Sequence, residues 1–267
     1  MPTSNATIKT YAAHWHQRLG HPSRDILKFV FRTFNLSSHL DFESCESCLC
    51  NKSHRLPFGK PSLCSPRPLD LIYSDVWGPD PVTSFDNYKY YVIFVDHFTK
   101  YVWFFPLRLK SDVFSIFVRF KTLVQNYFLT TIRNIYTDGG SEFLKLTSFF
   151  QQTSINHLLT PPYTPQHNGA AERRHRHIVE MGLALLHQVS LPPSFWTFAF
   201  QTATYLINCL PSKTTFMTCP FQLLFDAHPN YANLRVFGCL CFPWLRPYTR
   251  NKLEPRSKPW VFLDYCP

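Results

Sequence analysis

The chain has 267 residues, 45% of them hydrophobic and 26 of them Phe, which is enough apolar mass for one large or two modest domains and excludes global disorder. A formal net charge of +10 and a pI near 9.2 favour a polyanionic partner, and no apolar run places that partner in a membrane. Nine cysteines are an odd set, and the N-terminus lacks a basic-then-apolar leader, so a secreted disulfide scaffold is disfavoured and a reducing, intracellular compartment is expected.

The charge is unevenly spread. Residues 1–68 hold nine Lys/Arg against four Asp/Glu, residues 69–190 eleven against ten, and residues 191–267 seven against three. Two basic arms thus flank a nearly neutral middle, an arrangement suited to phosphate contact at the flanks.

In chain order, the first feature is "HWHQRLGHPS" followed by "ESCESCLC", which supplies His16, His21, Cys45 and Cys48. Two imidazoles and two thiolates in two short-spaced pairs make a closed tetrahedral zinc set, because one turn aims both members of a pair at one ion. His14 stands as an alternative to His16, and Cys50 to Cys48. The bland reading is a surface histidine and small buried cysteines. A structural zinc would supply folding free energy to a segment with little apolar mass of its own. Pro57, Pro61, Pro66 and Pro68 then read as an exposed linker that uncouples this segment from the rest of the chain.

Four elements come next. "LDLIYSDVWGP" is β-leaning until Gly78-Pro79, which puts Asp75 near a strand end. Tyr91 to Val95 is nearly unbroken apolar, as a strand buried on both faces would be. Val113, Phe117, Phe120 and Val124 recur at helical spacing and predict a core-facing stripe. "TIRNIYTDGGSEF" reads as a short strand ending at Asp138 and a glycine turn, where Asp138 is either a turn residue or a site carboxylate.

The helix predicted from Asn168 carries Glu172 ahead of Arg173, Arg174 and Arg176. As a simple helix start, Glu172 would favour the macrodipole and pair with an arginine. Yet Glu172, Val179, Leu183 and Leu186 are spaced to share one face. If that face packs on the sheet, Glu172 points inward, and a divalent cation shared with Asp75 and Asp138 offsets its burial. The three arginines are then left for phosphate.

These motifs, "HWHQRLGH…CESC", "SDVWGP", "YTDGGSEF", "YTPQHNGAAER" and "LRVFGCLCFP…KPWVFLDY", resemble the integrase region of copia-type LTR-retrotransposon polyproteins over roughly residues 11–266. The resemblance implies an α/β fold: a ribonuclease H-like mixed five-stranded sheet flanked by helices, behind a small helical zinc-binding N-terminal domain. It divides the chain into a pre-integrase zinc domain at 1–60, a linker at 61–68, a catalytic core at 69–190, and a helical extension with the start of a C-terminal region at 191–267.

Carried over residue by residue, it implies Asp75, Asp138 and Glu172 as the catalytic carboxylates on two Mg²⁺ or Mn²⁺ ions, with one structural Zn²⁺ on His16, His21, Cys45 and Cys48. Tyr163, Gln166, Asn168, Arg173, Arg174 and Arg176 become candidates for DNA contact, with Pro165 beside them. The implied chemistry is metal-dependent trimming of element cDNA 3′ ends and their transfer into target DNA, by a homo-oligomer acting in the nucleus. A DNA-binding remnant without catalysis is the competing expectation, and the chain is expected to be a piece of a polyprotein. The sequence departs from the usual pattern at Gly139, Ser141, His167 and Asp264, and 33 residues separate Asp138 from Glu172, two fewer than usual.

Overall fold

A computed structural model of the chain describes residues 13–34, 45–52, 65–160, 169–244 and 255–265. Short helices open it: α1 at 13–18, α2 at Arg24–Thr33 and α3 at Glu46–Asn51. The strands β1 (Leu71–Trp77), β2 (Tyr90–Asp96) and β3 (Val102–Leu107) follow, then helix α4 (Val113–Phe128) and strand β4 (Asn134–Thr137). Helices α5 (Ser141–Leu144) and α6 (Thr147–Gln152) lead to β5 (Asn156–Leu159), and helices α7 (Gly169–Gln188), α8 (Trp196–Cys209) and α9 (Pro220–Phe225) lead to the small ribbon of β6 (Leu240–Cys241) and β7 (Trp260–Val261).

The main sheet has the order β3-β2-β1-β4-β5, with β1 antiparallel to β2 and parallel to β4, so the expected mixed five-stranded sheet is present and β1 is its centre. Side chains alternate across a strand, and β2 feeds two cores. Val92 and Phe94 point to α4, where Phe94 stacks on Phe120 at 4.3 Å and the predicted stripe Val113, Phe117, Phe120 and Val124 is fully buried. Tyr91, Ile93 and Val95 point the other way, to α7 and α8. Each large side chain so buried stabilises the fold by about 1.5–3 kcal/mol before entropy is counted.

That second core also contains Trp15, Leu19, Leu27, Val30 and Phe31 from the N-terminal helices. Arg18 Nε donates to the carbonyl of Leu234 at 3.0 Å, tying the segment to the far end of the chain. The expectation of an uncoupled N-terminal segment is therefore corrected: too small to bury its own apolar faces, it borrows the core of α7 and α8. Of the expected linker, residues 65–68 are described, and the Ser65 amide is bonded to His97 Nδ1 at 3.2 Å.

Helix α8 belongs to the same core and also closes one side of the sheet. Asn208 donates to the Val102 carbonyl at 2.8 Å and accepts from its amide at 2.9 Å, occupying backbone groups that an edge strand leaves open. Helices α7 and α8 pack this closely because Gly182 has no side chain: a Cβ there would lie 2.2 Å from Phe200 Cδ1.

Candidate functional site

Two sites sit at opposite ends of α7. At its C-terminal end, the donor atoms of His16, His21, Cys45 and Cys48 all lie within 4.8 Å of one another. Cys45 caps α3 and Cys48 sits in its first turn, so the C-x2-C spacing turns both sulfurs one way. His21 Nδ1 is 3.3 Å from Cys45 Sγ, and His16 Nε2 is 3.3 Å from Cys48 Sγ. His14 and Cys50 are exposed and outside the group. Burial pushes the imidazoles down, His16 to about 3 and His21 to about 4, which keeps both neutral and able to donate a lone pair; burial also raises the Cys48 thiol to about 11. The two-nitrogen, two-sulfur donor set suits a closed structural zinc site.

The support for this set was not visible in the sequence. His21 Nε2 pairs with Gln188 Oε1 at 2.7 Å, and Ser47 Oγ pairs with His187 Nδ1 at 3.2 Å. Since Gln188 Oε1 can only accept, the proton sits on His21 Nε2 and the Nδ1 lone pair faces the sulfurs. Lys52 donates from Nζ to the His21 carbonyl. Partners 167 residues apart leave no local pattern to read.

At the other end of α7, Asp75 projects from the central strand, Asp138 follows β4 beside it, and Glu172 lies in the first turn of α7. The Asp75 carboxyl is raised to about 7, first by burial and then by the negative charges of Asp138, Glu172 and Glu142. Its Oδ1 accepts from the Val76 amide at 2.9 Å. Three further carboxylates thus act on Asp75, although among the described residues only the His/Cys set brings its donor atoms close enough together to hold an ion. Oxygen-only donors in a shared negative field suit a hard divalent cation. Gly139 makes the turn after Asp138 at φ +79°, a conformation glycine adopts freely, and the Gly140 amide donates to Asp138 Oδ1 at 3.0 Å.

Several expectations for α7 are corrected. Its buried stripe is Ala171, His175, Ile178, Gly182 and Leu185; of the expected face Leu186 is buried as well, whereas Glu172 and Leu183 are exposed and Val179 is half-buried. Glu172, Val179 and Leu183 run along the shoulder of the helix one residue away from the true stripe, and a polar His175 in the middle of that stripe disguised it. Glu172 therefore reaches Asp75 from the exposed rim of the site, and its burial cost is not what calls for a cation. Arg174 is half-buried and donates to the Lys100 carbonyl at 3.3 Å, so it is committed to the fold; Arg173 and Arg176 are exposed. Tyr163, Pro165, Gln166 and Asn168 lie outside the described residues.

Sequence reasoning also missed two residues that act on Asp75, one by contact and one by charge. His175 Nε2 lies 3.5 Å from Asp75 Oδ2, and His175 Nδ1 is 3.0 Å from the Tyr91 hydroxyl. Glu142 is buried and paired with Lys110 Nζ at 3.2 Å. Counting three and four residues onward from Ala171 would have found His175; no pattern marks Glu142.

Residues 2–53 match the GAG-pre-integrase domain. Over 268 residues, 99% of this chain is 52% identical to the retrovirus-related Pol polyprotein from transposon RE1 of Arabidopsis thaliana, covering 18% of that protein. The chain is similar over nearly its whole length to one segment of these transposon Pol polyproteins. A second relative, the retrovirus-related Pol polyprotein from transposon TNT 1-94 of Nicotiana tabacum, is 36% identical over 94% of this chain and 19% of its own length. The chain therefore spans about a fifth of the curated relatives it matches. Its fold is similar to that of a chain in the cryo-EM structure of a simian T-cell lymphotropic virus intasome in complex with PP2A regulatory subunit B56 gamma, with a TM-score of 0.51, 19% identity, and coverage of 94% of this chain and 88% of that one. The fold of residues 69–190 is ribonuclease H-like, a mixed five-stranded sheet flanked by helices.

Proposed function

We propose that the chain is the integrase segment of its polyprotein, trimming the 3′ ends of element cDNA and joining them to target DNA, with Asp75, Asp138 and Glu172 as the catalytic carboxylates. The carrying observation is the field on Asp75: the carboxyl on the central strand is raised to about 7 by burial and by Asp138 and Glu172, which arrive from the neighbouring strand and from α7. Such a cluster is costly alone and suits a bound cation. Divalent ions held there, Mg²⁺ or Mn²⁺, would supply Lewis-acid stabilisation of the attacking and leaving oxygens.

The chain's own residues do the rest. Asp75, rooted in the central strand, gives a fixed carboxylate between the other two. Glu172, on the exposed rim, closes the site from the helix side without being buried itself. Arg173 and Arg176 project from the same helix and are placed to contact phosphate. His16, His21, Cys45 and Cys48 would hold one structural Zn²⁺ that fixes the N-terminal helices against α7. Acting on two DNA ends calls for a homo-oligomer, working in the nucleus.

Strand transfer of a short duplex carrying the element terminus, with Mg²⁺ and recombinant protein, tests the reading. Product that requires Asp75, Asp138 and Glu172 together supports it. DNA binding with no product at any Mg²⁺ or Mn²⁺ concentration would leave a DNA-binding remnant instead.

A further inference from the structure

We propose that His175, backed by Tyr91, is a positioning residue for Asp75, holding one carboxylate oxygen by a hydrogen bond so that the other arrives at a metal in a fixed orientation. The inference rests on the reading of Asp75 as a metal ligand.

His175 sits in the middle of the buried stripe of α7, between Ala171 and Ile178. A leucine there would fill the space with no polar atom to satisfy. Instead the imidazole buries both nitrogens: Nδ1 is 3.0 Å from the Tyr91 hydroxyl, whereas Nε2 makes no regular hydrogen bond and faces Asp75 Oδ2 at 3.5 Å. A buried donor left without a partner is costly, and the groups in front of this nitrogen belong to Asp75, its carboxylate at 3.5 Å and its backbone.

The tautomer follows from the same contacts. A neutral imidazole carries one N–H. If it were on Nδ1, the Nε2 lone pair would face a carboxylate oxygen, a repulsive arrangement. With Tyr91 O–H donating to Nδ1, the proton sits on Nε2, on the side of the ring that faces Asp75, whose Oδ2 is 3.5 Å away. Tyr91 can hold this direction because it is fixed on β2 in the core, stacked against Trp77 at 5.1 Å. Asp75 then has a partner beside each oxygen, the Val76 amide bonded to Oδ1 at 2.9 Å and the His175 ring nitrogen 3.5 Å from Oδ2. At 3.5 Å the second contact is at the outer limit of a hydrogen bond. Partners of this kind fix the orientation of metal ligands, and losing one commonly costs tenfold or more in metal affinity.

The test uses the full chain as wild type, His175→Leu, His175→Gln, Tyr91→Phe and Asp75→Asn. Two readouts are taken: the Mg²⁺ concentration that half-saturates the metal-induced rise in melting temperature, and the Mg²⁺ dependence of strand transfer. His175→Leu is expected to melt at or above wild type without metal but to need about tenfold more Mg²⁺. His175→Gln, which can return an N–H near the position of Nε2, should recover most of that loss, and Tyr91→Phe should show a smaller shift in the same direction. A wild-type Mg²⁺ midpoint in His175→Leu overturns the proposal, as does His175→Gln being no better than His175→Leu, since packing and not the donor would then matter. If His175→Leu does not fold, an unchanged midpoint in Tyr91→Phe overturns it. Asp75→Asn separates the levels: an intact metal response there removes the reading of Asp75 itself, whereas its loss alongside an unaffected His175→Leu removes only the role of His175.

Discussion

Gln188 Oε1 accepts from His21 Nε2 at 2.7 Å, joining the last residue of α7 to a candidate metal ligand at the other end of the chain. The first prediction concerns this bond. Gln188→Leu should weaken zinc retention by about tenfold or more, read by competition with a chromophoric chelator. Because the N-terminal helices share a core with α7 and α8, removing zinc should also raise amide exchange in the C-terminal half of α7. Zinc removal that leaves exchange in α7 untouched would show the two parts to be independent after all.

Glu172→Gln keeps volume and removes charge. Strand transfer should be lost, while the metal-free melting temperature should change little, because Glu172 is exposed and its repulsion with Asp75 is screened by water. A helix-start acid predicts instead a loss of about 0.3–1 kcal/mol of stability with activity kept. Melting and strand transfer measured on the same preparation decide between them.

The three arginines should separate. Arg173→Ala and Arg176→Ala should each reduce the slope of log affinity for DNA against log salt by about one, with the fold unchanged. Arg174→Ala should lower the melting temperature through the lost bond to the Lys100 carbonyl, with a smaller effect on the slope. Filter binding across a salt series, paired with thermal melts, checks this; equal slopes for all variants and wild type would remove these arginines from the DNA surface.

Asp264 supplies a pH prediction. Burial raises its carboxyl from 3.8 to about 6, against the opposing pull of hydrogen bonds from the Tyr265 amide at 2.7 Å and Thr202. A raised folded-state value means that the stability it contributes is fully present below pH 3.8 and is lost as the pH rises through about 6. Asp264→Asn stays neutral, so its stability relative to wild type should climb between those values and level off above them. Urea midpoints of the two proteins across that range should diverge; parallel curves would contradict it.

How much of this was legible depends on the distance over which each feature is encoded. The stripe of α4 was readable because four apolar residues repeat within 12 positions and nothing polar interrupts them. The His/Cys set was readable because each pair is local. The stripe of α7 was misread by one residue because His175 stands at its centre for a reason outside the helix, its neighbour Asp75. Gln188, Tyr91 and Glu142 were invisible for the same reason: their partners are set by the sheet order and by helix packing, which no short window contains. The independence expected of the N-terminal segment failed because its proline-rich connection says nothing about which surfaces it later meets.

One helix serves both sites, Glu172 near its start and Gln188 at its end, and this makes its length a constraint in its own right. Each residue of an α-helix advances by about 1.5 Å and turns by about 100°. Inserting or deleting a single residue between 172 and 188 would swing Gln188 away from His21 if Glu172 stayed in place, or carry Glu172 off Asp75 if Gln188 stayed. A change of seven residues comes within about 20° of restoring the angle, yet lengthens or shortens the rod by about 10 Å. Within this helix even the smallest indel therefore disables one end or the other.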